Sequence, residues 1–175
     1  MVESAEDPGL ALVRAVADEC RNLRSLAERA VAQVDDEQFF ATLDADANSI
    51  AALVKHVGGN LRSRWQDFRT TDGEKPDRRR DGEFITDESR ADIEALWERG
   101  WATLDAALGG LSAADVGTDV VVRGEVIPLP RALARNLAHT AGHVHQVVLL
   151  ARHWKGPDWQ TLSIPRGQSE QFRPK

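Results

Sequence analysis

Apolar residues recur along this chain at helical spacing in four long segments. The first runs from about Gly9 to Val34, with Val13, Val16, Cys20, Leu23, Ala27, Ala30 and Val34 on one stripe. The acidic pair Asp35-Asp36 is expected to stop it. The second begins near Asn48-Ser49, either of which can cap a helix, and carries Ile50, Leu53, Val54, Val57, Leu61, Trp65 and Phe68. A polar stretch from Thr70 to about Asp87 follows, rich in turn formers and long for a compact domain. The third segment starts near Thr86-Asp87, presents Ile93, Leu96, Trp97, Trp101, Leu104 and Leu108, and is closed by Gly109-Gly110. Between Asp119 and Leu129 the period changes. Val120-Val121-Val122, Arg123-Gly124 and Val126-Ile127 read as a short hairpin or extended excursion. Pro130 suits the first turn of a fourth helix reaching about His153 or Trp154. After Gly156-Pro157 the pattern predicts an extended tail.

Four amphipathic helices predict an all-α fold, a four-helix bundle interrupted by the excursion before its last helix. At 175 residues the chain is expected to form one domain spanning 1–175, with the tail from about residue 156. The 42% hydrophobic and 29% charged content is that of a soluble globular protein. A single cysteine, Cys20, excludes an intrachain disulfide and suits a reducing compartment. No apolar run is long enough for a membrane span and the first residues are acidic, so a cytoplasmic protein is expected. A net charge of −6 argues against nucleic acid as a partner. The one basic run, Arg78-Arg79-Arg80, lies between Asp77 and Asp81 and reads as a solvated loop.

The candidate chemistry lies in the fourth helix, in Asn136-Leu137-Ala138-His139-Thr140-Ala141-Gly142-His143-Val144-His145-Gln146. His139 and His143, four residues apart, stack on one face and can offer nitrogens to one divalent ion. Helical angles place them beside the apolar stripe, in line with Asn136, Gln146 and Leu150. His145 points about 140° away from the pair at 100° per residue. His153 lies about 15 Å further along the axis at 1.5 Å per residue. The remaining histidine, His56, flanks the stripe of the second helix beside Asn60 and is the third candidate ligand. Three neutral imidazoles suit Zn²⁺, and equally Ni²⁺ or Fe²⁺, and leave room for water or substrate. A metal-bound imidazole donates its other N–H to an acceptor. No carboxylate stands at a helical offset from the pair, so backbone carbonyls, Asn60 or Gln146 are the candidates. Cys20 falls on a core stripe and reads as a buried thiol, and no phosphate-cradling loop or Ser-His-Asp pattern occurs.

A histidine on the second helix followed, after a long gap, by His-x-x-x-His-x-x-Gln resembles the DinB-like (DinB/YfiT-like) superfamily. One largely uncharacterised bacterial branch is similar along most of the chain. The likeness runs through Asn48-Ser49-Ile50, Leu53 to His56, Asn60 to Trp65, Phe68 to Pro76 and Arg80 to Phe84. It continues at His139 to Gln146, Gly156 to Trp159 and Leu162 to Gly167. The resemblance implies a four-helix bundle, usually a homodimer, with a metal held by His56, His139 and His143. It also implies a low-molecular-weight thiol such as bacillithiol, mycothiol or glutathione as cosubstrate of an S-transferase acting on small electrophiles. His145 departs from the pattern, where glycine is expected before Gln146. Two other readings stay open: a non-catalytic dimeric metal-binding or stress-related protein, and a metal-dependent hydrolase.

Overall fold

A computed structural model describes the chain from residue 7 to residue 171, and it is predominantly helical. Helix α1 spans Pro8–Val31. The Asp7 carboxylate caps it by accepting from the amides of Gly9 and Leu10, and Pro8 opens the first turn. Its stripe from Val13 to Ala30 is buried as the spacing predicts. The helix stops at Val31, ahead of the acidic pair, whose role is different: Asp35 and Gln38 form a reciprocal capping box for a short α2, Asp36–Phe40, which carries Phe39 into the core.

Helix α3, Ile50–Trp65, starts at Ser49, whose hydroxyl accepts from the Ala52 amide. It is a central element, with 13 of its 16 residues buried, including the polar Lys55, His56, Asn60 and Ser63. The helix ends at Trp65, where the Gln66 cap turns extended at ψ 124°; Asp67 follows in a left-handed conformation at φ 47°, and Phe68 returns to the core from the turn beyond. Helix α4, Arg90–Gly109, is capped by Ser89, three residues after the expected start. A short α5 follows at Ala113–Val116.

Strands β1, Asp119–Val122, and β2, Glu125–Pro128, pair antiparallel with Asp119 opposite Pro128. Positive φ at both Arg123 and Gly124 makes the two-residue turn that matches strand twist. The Asp72 carboxylate clamps this turn by accepting from the amides of Arg123 and Gly124 at 2.8 and 2.7 Å. The long polar segment is thereby tied to the hairpin, and it contains a 3-10 turn at Asp81–Phe84. Helix α6, Leu129–Lys155, carries Pro130 in its first turn.

Helix α3 packs on α4 and α6, and α1 packs on α6 and α4. Trp65, Trp97 and Trp101 are all core residues, as their stripe positions predict. The tail is less extended than expected. It turns at Gly156–Asp158 and lies against α1, where Gln33 exchanges two hydrogen bonds with the Gln160 backbone and Arg29 donates to the Leu162 carbonyl. Among the described residues no helix is long and apolar enough to cross a membrane.

Candidate metal centre

The fold brings His56 of α3 against His139 and His143 of α6. One nitrogen from each lies within 4.8 Å of the others, a group that can hold a metal ion. His56 Nε2 and His139 Nε2 are 3.1 Å apart, and the His139 and His143 rings stand 4.6 Å apart, edge to face. His145 and His153 stay outside the group. His145 is exposed and donates from Nδ1 to the Ala141 carbonyl, while His153 packs on the Trp154 ring.

The outer partners differ in part from the sequence expectation. His143 Nδ1 donates to Gln146 Oε1 at 2.8 Å. Asn60 pairs with no imidazole: its Oδ1 accepts from Asn136 Nδ2, and Asn136 Oδ1 accepts from the Trp65 indole. His56 is instead held by a carboxylate that helical offsets do not reveal. Glu83, in the 3-10 turn of the long loop, accepts from His56 Nδ1 at 2.8 Å. Because a carboxylate only accepts, Nδ1 carries a proton, and Nε2 is the nitrogen turned toward the other histidines.

Arg78 fixes Glu83 in turn. Its Nε and Nη2 donate to the two carboxylate oxygens, each at 2.8 Å, with both side chains under 10% exposed. The basic run is therefore not one solvated loop. Arg79 and Arg80 are exposed, whereas Arg78 is drawn inside by Glu83 and Glu74. Burial works against the charge on Glu83, but hydrogen bonds from Arg78 and His56 overcome it and hold the carboxyl below its usual range. Phe84, the next residue, stacks on the His56 ring with centroids 4.8 Å apart.

Burial, followed by the neighbouring imidazoles, pushes the His139 pKa down to about 4. Burial also lowers that of His143, against the hydrogen bond to Gln146. Both rings are thus neutral at pH 7 with lone pairs available, the form a metal requires. His139 Nδ1 is buried with no hydrogen-bond partner among the described residues. Two Nδ1-anchored imidazoles and a third beside them could together hold a metal ion. Cys20 plays no part: it lies in the core, where burial, with Asp105 nearby, pushes its thiol up to about 11.

A family model described as a protein of unknown function (DUF1572) matches residues 8–168, and that family falls within the DinB/YfiT-like superfamily. No curated protein and no solved structure matches the chain.

Proposed function

The chain belongs to the DUF1572 family, and from that premise we propose that it is a metal-dependent enzyme whose ion is held by His56, His139 and His143. Its proposed reaction is transfer of a low-molecular-weight thiol to a small electrophile. The observation that carries this reading is the donor set: three imidazoles with no further His, Cys, Asp or Glu joining them among the described residues. Such a set leaves coordination positions for a reactant, as catalytic sites do and closed structural sites do not. A divalent ion bound there supplies Lewis acidity that lowers the pKa of a thiol.

The chain's own residues prepare the site. Glu83 keeps the His56 proton on Nδ1 and so fixes the tautomer and the ring plane. Arg78 prevents Glu83 from rotating away, because two parallel hydrogen bonds define its orientation. Gln146 does for His143 what Glu83 does for His56. Phe84 covers one face of the His56 ring and shields it from water.

Metal content of the purified protein, measured by mass spectrometry beside a His139→Ala variant, tests the site; equal metal in both overturns it. Metal-loaded protein is then offered 1-chloro-2,4-dinitrobenzene with bacillithiol, mycothiol or glutathione. Conjugate formation above that of His139→Ala is expected with at least one thiol. Metal without turnover for any of them would make the protein a metal-binding protein instead of a transferase.

A further inference from the structure

His139 also lines a cavity of about 350 Å³ between α3, the hairpin and the start of α6. That volume is in the range of small-molecule sites. Trp65, Phe68, Val120 and Ile127 give it an apolar wall. Four arginines line it as well, Arg64, Arg80, Arg123 and Arg135, and among the described residues no Asp or Glu does. On a chain of net charge −6, that is a local reversal of sign.

The carboxylates behind this lining are outnumbered. Glu74 serves both Arg64 at 3.1 Å and Arg123 at 3.0 Å, while Arg78, 3.5 Å from it, is already matched by Glu83. Glu125 is shared by Arg131 at 3.3 Å and Arg135 at 3.7 Å. Arg80 makes no ion pair among the described residues. The polar chain on the cavity wall has a direction too. The Trp65 indole donates to Asn136 and Asn136 donates to Asn60 Oδ1, which leaves the Asn60 N–H₂ as a donor without a protein acceptor among the described residues. The cavity therefore presents excess cations and a spare amide donor around an apolar pocket. Guanidinium groups recognise carboxylate and phosphate oxygens, while an inorganic ion has no use for the aromatic wall.

We propose that this cavity binds an organic anion, a carboxylate on a compact apolar body, as the molecule processed at the adjacent histidines. As a substrate site it rests on the metal-centre reading; as an anion site it stands on the cavity lining alone. The same loop serves both, since Arg80 lies between Arg78 and the turn that carries Glu83 and Phe84.

The test is calorimetric titration of metal-stripped protein with 4-phenylbutyrate and octanoate, with their neutral amides, and with inorganic phosphate. At least one acid is expected to bind ten-fold or more tighter than its amide and than phosphate, and to weaken as salt rises. Arg80→Glu should weaken that acid at least ten-fold, and Arg79→Ala, next to it but outside the lining, should not. Acids binding no better than their amides, phosphate binding as tightly as the acids, or Arg80→Glu binding like the wild type would each overturn the proposal. Because the ion is absent throughout, loss of anion binding and loss of metal binding are separate results.

Discussion

Gly58 of α3 and Gly100 of α4 face each other so closely that a Cβ on Gly100 would come within 2.8 Å of the Gly58 Cα. Gly58 is equally confined, for its own Cβ would lie 2.9 Å from the Leu96 carbonyl oxygen. Neither obstacle is a side chain that can swing aside. The two glycines set the depth at which α3 lies on α4, and His56 is two residues from that contact.

Gly100→Ala is accordingly expected to destabilise the protein by about 2 kcal/mol or more, the scale of overpacking a tight interior. Gly142→Ala is the control: a Cβ there meets open space, and alanine should stabilise the helix by roughly 0.5–1 kcal/mol. Urea denaturation of both variants measures the contrast. Equal midpoints for Gly100→Ala and wild type would show that the helices slide apart without cost.

Glu83 joins a buried ion pair to an imidazole, so its two substitutions should act differently. Glu83→Gln keeps an acceptor for His56 but loses the charge that holds Arg78. Its affinity for zinc, measured by competition with a chelating dye, is expected to fall about 10- to 100-fold. Glu83→Ala leaves Arg78 buried without its bidentate partner, and a loss of about 3 kcal/mol in unfolding free energy is expected. Wild-type zinc affinity in Glu83→Gln would mean that the carboxylate does not position the ligand.

Stability of the metal-free protein should fall on acidification through a defined window. His139 has its pKa lowered from 6.5 to about 4 by burial first and then by neighbouring charge. Between those values the unfolded chain takes up a proton that the folded chain refuses, so unfolding gains free energy as pH falls. A shift of that size is worth about 3 kcal/mol at most, and partial exposure reduces the expected loss to about 2. Glu83, held below its usual range in the fold, adds to the loss at the acid end. Urea midpoints between pH 7.5 and pH 4 in the presence of chelator measure the slope. His139→Gln should flatten it; an unchanged slope would assign the linkage to other groups.

Much of the scaffold is legible in the pattern of the chain because it depends on local periods and caps. The α1 stripe, the Ser49 cap, the hairpin around Arg123-Gly124 and the proline-led α6 all follow from neighbours within a few residues. The meeting of His56 with His139 and His143 follows too, since each lies beside an apolar stripe and the stripes face a common core. Glu83 and Arg78 are a different case. Their loop has no period, and the partnership with His56 exists only after the segment has folded back onto α3. The same holds for Asn60, whose helical angle places it beside His56 while Asn136, 76 residues further along, determines its hydrogen bond. The capping box Asp35-Gln38 was readable as an acidic cap with Gln three residues on, but Asp35-Asp36 looks like a stop when only the long stripe is followed.

Burial keeps His139 and His143 uncharged at pH 7, and the carboxylate beside the histidine group, Glu83, is already matched by Arg78. An ion among them would keep its double positive charge almost uncancelled, with further guanidinium groups lining the cavity alongside. The electric field of the pocket would then run counter to that of the acidic molecule around it. Small anions would be gathered toward the histidines and cationic molecules turned away, so the pocket would select by charge before any contact is made.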